Sequence, residues 1–167
     1  MENFLQALRK VKTIVLDVDG VMTNGQVMVM EDGQQVRSFY IKDGYAMNRA
    51  VKEGYEIVII SAGTYEGVRR RLEYLGIKDI YLGVGKKEDV FDELAKKRGW
   101  DTNYVLYMGD DIPDYEVMKK VGLPTCPADA VPDIKNIATY VSPANGGSGA
   151  VRDVLEKIMK IQGTWPV

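Results

Sequence analysis

With 167 residues, 46% of them hydrophobic, the chain is long enough to bury a core as one domain, and its formal net charge of −2 offers no basic face for a nucleic acid. The complete lack of histidine removes histidine-based triads, histidine metal ligands and a histidine general base, and the single cysteine, Cys126, leaves no intramolecular disulfide. No apolar run approaches the ~18 residues needed to span a bilayer, and the mixed start from Met1 to Arg9 carries no leader pattern, so the expectation is a cytoplasmic protein with no membrane partner.

The first predicted element is a buried strand, Thr13–Asp17, whose apolar run breaks into two carboxylates one residue apart, Asp17 and Asp19, followed by Gly20. Ligands of an open α/β sheet sit beyond the carboxyl ends of its strands. Like charges this close repel, and a hard cation with oxygen ligands relieves them. Next come two short β-type runs, Gln26–Met30 and Val36–Tyr40, around Glu31-Asp32-Gly33-Gln34-Gln35. They predict a β-hairpin inserted over about 24–42, rising beside the two aspartates. Its stretch Val27-Met28-Val29-Met30 is apolar on successive residues, so either a contact with another copy of the chain or packing on the chain's own helices covers it.

Strands at Glu56–Ser61, Ile80–Leu82, Tyr104–Met108, Leu123–Cys126 and Ala138–Val141 then alternate with helices at Asp43–Glu53, Tyr65–Leu75, Lys87–Arg98, Asp114–Val121 and Gly149–Ile161. Gly54, Gly76, Gly99 and Gly122 follow the last periodic residues, where glycine adopts a left-handed cap at little cost. The alternation implies βαβ units, hence an α/β fold with a parallel sheet and helices on both faces. The whole chain, 1–167, reads as one domain without a separate cap, ending in a flexible glycine-rich tail from about 143 onward.

Four features fall at predicted strand ends: Asp17-Val18-Asp19-Gly20, Ser61, Lys87 with Lys86 beside it as an equal candidate, and Gly109-Asp110-Asp111-Ile112-Pro113-Asp114. Singly they read as turns, a helix cap and a solvated lysine. In this order at converging strand ends they form a site. Carboxylates can hold Mg²⁺, one carboxylate can attack phosphorus, and a second can move the proton. A serine hydroxyl and a lysine ammonium can hold the phosphoryl oxygens. Gly83-Val84-Gly85-Lys86 is no P-loop, because Ile80 stands where the first glycine belongs and Glu88 where Ser or Thr belongs.

The four features together resemble the haloacid dehalogenase superfamily of phosphatases, from Thr13 to Gln162. The resemblance implies Asp17 as nucleophile and metal ligand. Asp19 would be the acid/base, with its backbone carbonyl on Mg²⁺, and Asp110 the third protein ligand. It implies Ser61 and Lys87 on the phosphoryl group, with Asp111 and Asp114 behind them holding Lys87 and metal-bound water. Within the superfamily the chain is most similar to the 3-deoxy-D-manno-octulosonate 8-phosphate phosphatase family. That likeness rests on the hairpin after Asp17-Val18-Asp19-Gly20-Val21-Met22-Thr23-Asn24-Gly25, and on Phe39-Tyr40-Ile41-Lys42-Asp43-Gly44. It also rests on Arg71 before Leu75-Gly76-Ile77, on Ala128-Asp129-Ala130, and on Gly146-Gly147-Ser148-Gly149-Ala150-Val151-Arg152. It implies a Mg²⁺-dependent hydrolysis of that phosphorylated sugar acid through an aspartyl-phosphate, in lipopolysaccharide precursor synthesis. Substrate contacts would come from Asp19, Tyr40, Ile41, Lys42, Asp43, Gly44, Asn48, Arg71 and Lys87. A homotetramer is implied too. In relatives a similar tail closes over a neighbouring subunit's site; otherwise the same glycines form a flexible loop capping the last helix.

Three positions depart from the family pattern. Ala62-Gly63 follows Ser61 where Gly-Arg is usual, Tyr40 replaces Asn, and Asn48 replaces Arg. All three touch substrate recognition, so a nine-carbon 2-keto-3-deoxy sugar acid phosphate, or another sugar phosphate, is an alternative substrate. Arg69, Arg70, Lys42 or Arg152 could compensate for the missing cations. A phospho-acceptor receiver domain is a non-enzymatic alternative, but its acceptor Asp follows the third strand. Here Asp residues follow the first and fourth.

Overall fold

Six of the apolar runs line up as one parallel sheet in a computed structural model of the protein, which describes residues 4–167. Residues 1–3 of the expected domain, and of the Met1–Arg9 start, lie outside the described residues. In chain order the elements are α1 (Phe4–Ala7), β1 (Thr13–Leu16), β2 (Met28–Val29), β3 (Gln35–Val36), α2 (Ile41–Lys52), β4 (Glu56–Ile60), α3 (Glu66–Tyr74), β5 (Asp79–Tyr81) and α4 (Lys87–Arg98). They continue with β6 (Val105–Met108), α5 (Tyr115–Met118), β7 (Leu123–Cys126), α6 (Pro132–Ile137), β8 (Tyr140–Val141) and α7 (Ala150–Gln162).

The strand order is β5-β4-β1-β6-β7-β8, with Ile14 flanked by Ile57 on one side and Leu106 on the other. Strands covered on both faces need apolar residues at every position, and β1 and β6 are buried throughout. Ile14, Leu16, Ile57, Ile59, Leu106 and Met108 pack with residues of α2, α3 and α7. Val15, Val58, Ile60, Val105 and Tyr107 pack with residues of α4, α5 and α6 on the other face. From β1 the chain steps outward to β4 and β5, then returns to lay β6 on the other side of β1. The carboxyl ends of β1 and β6 therefore flank the topological switch point, where a sheet of this kind opens a crevice.

The parallel sheet with helices on both faces agrees with the expectation, but several local details differ. The hairpin pairs only Met28 with Val36 and Val29 with Gln35, and its strand residues are exposed, so the chain's own helices do not cover it. The helix expected over Asp114–Val121 begins as a 3₁₀ turn at Ile112–Asp114 with Pro113 in its first turn, and its α-helical part ends at Met118. The short helices α1 and α6 were not expected; both are shorter than the span over which apolar periodicity becomes readable.

Gly122 is no left-handed cap, unlike Gly54, Gly76 and Gly99. It is needed because a Cβ there would lie 2.0 Å from the Asn103 carbonyl oxygen. The tail also differs from the flexible segment expected from about 143. Helix α7 buries Val151, Val154, Leu155, Ile158 and Met159 in the core. Gly146 and Gly147 seat against the turn after β1, where a Cβ on Gly146 would stand 1.9 Å from the Gly20 carbonyl oxygen. Hydrogen bonds donated by Gly147 N to Val21 O (3.0 Å) and by Gly146 N to an Asp129 carboxylate oxygen (2.9 Å) fasten the segment to the chain's own crevice rim.

Candidate active site

Asp17 leaves β1 at the switch point with its backbone N–H donated to Met108 O of β6 (3.1 Å), which ties the two strand ends together. Asp110 leaves β6 opposite it. Gly20 turns the chain between them with φ +79°, and a Cβ at Gly20 would lie 1.9 Å from Asp110 Oδ2. The Asp110 carboxylate thus occupies the space that a side chain at position 20 would fill. Ser61 follows β4 and is buried; its Oγ accepts from Gly63 N at 3.3 Å. Lys87 opens α4, also buried, whereas Lys86 is exposed, which resolves the choice between the two lysines. A cavity of about 260 Å³ is lined by Asp17, Asp19, Ser61, Lys87, Asp110 and Asp114 among others.

Lys87 Nζ bridges Asp17 Oδ2 (2.8 Å) and Asp114 Oδ1 (2.7 Å). Asp114 Oδ1 also accepts from the Tyr107 hydroxyl (2.6 Å), and Oδ2 accepts from Asp110 N (3.1 Å). Among the described residues, Asp17, Asp110 and Asp114 are the acidic group able to share a cation, with ligand atoms within 4.8 Å of one another. Both oxygens of Asp114 are already engaged, so Asp17 and Asp110 are the carboxylates left to face an ion. Asp111 does not hold Lys87 as expected; its Oδ1 accepts from Ile112 N (2.7 Å) and caps the 3₁₀ turn.

Burial, then the charge of Asp114, pushes the Asp17 carboxyl up to about 7 despite Lys87. Burial, then Asp114, Asp17 and Asp111, pushes Asp110 up to about 8. Burial opposes the charge of Lys87, but Asp17 and Asp114 outweigh it and hold the ammonium above the ordinary lysine value. One lysine does not neutralise three clustered carboxylates. Both carboxylates ionise readily only beside additional positive charge. An all-oxygen donor set of this kind fits a hard divalent ion such as Mg²⁺.

The Asp19 side chain lies apart from that acidic group. Arg37, from the strand exit of the hairpin, donates from Nε to Asp19 Oδ1 (2.6 Å) and from Nη2 to Oδ2 (3.2 Å). Arg37 was not anticipated; the only hint of it was an arginine inside an insertion placed beside Asp17 and Asp19. Tyr107, hidden in an apolar run, was missed as well. Its phenol is held well above its usual value by burial and by Asp114, which leaves it a proton donor.

The expected substrate contacts beyond Asp19 and Lys87 do not line the carboxylate cavity. Tyr40 and Lys42 border a pocket with Arg152, while Ile41, Gly44, Asn48 and Arg71 border another with Tyr74. Asp43 is buried; its Oδ1 accepts from Arg152 N (2.8 Å) and fastens the start of α7, while its Oδ2 is buried with no hydrogen-bond partner. Asn48 Nδ2 donates to Leu75 O (3.0 Å) at the end of α3. Gly44 permits close helix packing, since a Cβ there would meet Arg71 Nη2 at 2.6 Å. None of the four cations offered as compensation enters the cavity. Arg69 donates to Ile80 O, Arg70 pairs with Glu66, Arg152 pairs with Glu156, and Lys42 lies over the Tyr40 ring.

Residues 79–155 match the family model of haloacid dehalogenase-like hydrolases. The chain is 36% identical over 153 residues to 3-deoxy-D-manno-octulosonate 8-phosphate phosphatase KdsC of Escherichia coli strain K12, covering 92% of this chain and 81% of that protein. It is similar in structure to the 3-deoxy-D-manno-octulosonate 8-phosphate phosphatase of Yersinia pestis, with a TM-score of 0.93 at 32% identity over 96% of this chain and 87% of that one. The enzyme of that name from Moraxella catarrhalis, crystallised with magnesium ion, phosphate ion and a KDO molecule, superposes with a TM-score of 0.92 at 30% identity, covering 96% of this chain and 92% of that one.

Proposed function

The chain belongs to the 3-deoxy-D-manno-octulosonate 8-phosphate phosphatase family, and from that membership we propose that it hydrolyses this sugar acid phosphate to the free sugar acid, a lipopolysaccharide precursor, and phosphate. The observation that carries the reading is Lys87 pinned between Asp17 and Asp114, with Asp110 facing them at the switch point. Asp17 attacks phosphorus as the bond to the sugar oxygen breaks, and the Asp19 carboxyl gives that oxygen its proton. Water then attacks the aspartyl-phosphate on Asp17, Asp19 takes the water's proton, and the bond from Asp17 to phosphorus breaks to release phosphate. Lys87 and Ser61 hold the phosphoryl oxygens. Asp114 and Tyr107 keep Lys87 in place.

Asp17, Asp110 and the Asp19 backbone carbonyl would hold magnesium. The bound ion supplies the positive charge that lets both carboxylates ionise and offsets charge on the phosphoryl group. Two wider expectations go with the same reading. The uncovered apolar hairpin suits a contact between copies in a homotetramer, and no helix among the described residues is long and apolar enough to cross a membrane, in keeping with a cytoplasmic enzyme.

Phosphate release from 3-deoxy-D-manno-octulosonate 8-phosphate is expected with magnesium and lost on chelation. Asp17→Asn is expected to lower turnover on the order of 10³-fold or more. Full activity in that variant overturns the mechanism. Faster release from a nine-carbon 2-keto-3-deoxy acid phosphate reassigns the substrate while keeping the chemistry.

A further inference from the structure

We propose that Arg37 is the positioning residue for proton transfer: the hairpin reaches over the crevice to hold the Asp19 carboxylate in its working orientation, and Tyr65 holds Arg37. This rests on Asp19 serving as the acid/base, as proposed above. The contact is bidentate, with Nε 2.6 Å from Oδ1 and Nη2 3.2 Å from Oδ2, the geometry that fixes both the direction and the plane of a carboxylate.

An exposed ion pair contributes little and orients little. This pair is different, because the Arg37 side chain is only 5% exposed while Asp19 is 38% exposed at the cavity. The buried partner is the anchor and the open one is the working group. The Tyr65 ring lies 3.5 Å from the guanidinium carbon, and the Tyr65 hydroxyl donates to Gln35 Oε1 (2.7 Å), so the ring is tied back to the same hairpin. Nη1 of Arg37 is buried with no hydrogen-bond partner. Burying an N–H group unpaired is costly, so the guanidinium is not seated there for hydrogen bonding alone. The other contact to the Asp19 carboxylate, from Thr23 Oγ1, is long at 3.5 Å. Asp19 itself lies in the turn just after β1.

The consequence lies in which bond-breaking step needs a proton. A departing sugar alkoxide must be protonated as its bond to phosphorus breaks, whereas p-nitrophenolate leaves as a stable anion. Loss of Asp19 orientation therefore slows transfer to Asp17 far more for the sugar phosphate than for p-nitrophenyl phosphate, a contrast read in kcat/KM, which ends at that step, whereas hydrolysis of the aspartyl-phosphate is shared and lowers kcat for both. Loss of phosphoryl binding, or of the fold, harms both alike.

The test compares kcat and KM for 3-deoxy-D-manno-octulosonate 8-phosphate and for p-nitrophenyl phosphate in the wild type, Arg37→Gln, Arg37→Lys and Tyr65→Leu, at saturating magnesium. Arg37→Gln is expected to lower kcat/KM for the sugar phosphate ~10²-fold and for p-nitrophenyl phosphate no more than about fivefold. Arg37→Lys, which keeps the charge but loses the fork, is expected to recover part of the loss. Tyr65→Leu should show the same leaving-group contrast at smaller size, and carries the test should Arg37→Gln fail to fold. An equal fall of kcat/KM for both substrates, or an unchanged kcat/KM for the sugar phosphate, overturns the proposal. A wild type that hydrolyses neither substrate overturns the phosphatase reading instead.

Discussion

Asp114 accepts from Lys87 Nζ, the Tyr107 hydroxyl and the Asp110 amide, and is buried beneath the two carboxylates that face the cavity. It organises the lysine and also adds to the negative charge that Asp17 and Asp110 feel. Their carboxyls stand at about 7 and about 8 against an ordinary 3.8, so the folded protein keeps protons that the unfolded chain has lost. Stability from these two groups is therefore full below the unfolded value and is lost as pH rises through the folded values. Magnesium competes with those protons. The metal-free protein is expected to melt at lower temperature at pH 8 than at pH 5.5, and the rise in melting temperature on adding magnesium is expected to be larger at pH 8. Scanning calorimetry with and without the ion checks this; an equal magnesium shift at both pH values contradicts it.

At the scale of elements, side chains that resemble substrate contacts turn out to hold helices together. Asp43 of α2 accepts from the first turn of α7, whose own cap residue, Gly149, has no side chain to do so. Asn48 of α2 closes the end of α3 by donating its amide N–H to Leu75 O. Gly122 lets the start of β7 pass the Thr102–Tyr104 turn, donating its N–H to Thr102 O at 2.8 Å. Gly122→Ala would push a methyl group into the Asn103 carbonyl, and is expected to destabilise the protein by about 1–3 kcal/mol, read as a lower urea midpoint. An unchanged midpoint would mean the two segments separate freely.

For the molecule as a whole, the hairpin carries apolar strand residues that stay exposed. Met28 and Val29 are 66% and 67% exposed, and Met30 and Val36 extend the same apolar surface. A surface of this kind on a protein of this size suits a contact between copies. Sedimentation is expected to report a tetramer for the wild type and a smaller species for the double variant Met28→Lys, Val29→Glu; a monomeric wild type rules the assembly out.

What the sequence by itself determined is local and periodic. The runs Thr13–Leu16, Glu56–Ile60 and Val105–Met108 had to be buried strands, because an unbroken apolar β-forming run is stable only when both faces are covered. Asp17, Ser61, Lys87 and Asp110 were readable because each follows such a run or opens the next helix. A parallel sheet delivers all those positions to one edge. Only the tertiary structure decided which lysine is buried, that Tyr107 backs the Asp114 which the family resemblance had already placed beside Lys87, that Asp43 and Asn48 serve helix ends, and that Arg37 reaches Asp19. Each of these depends on a contact between segments distant in the chain. Such contacts are set by packing and by the direction in which a side chain leaves its element, and neither leaves a periodic trace along the sequence.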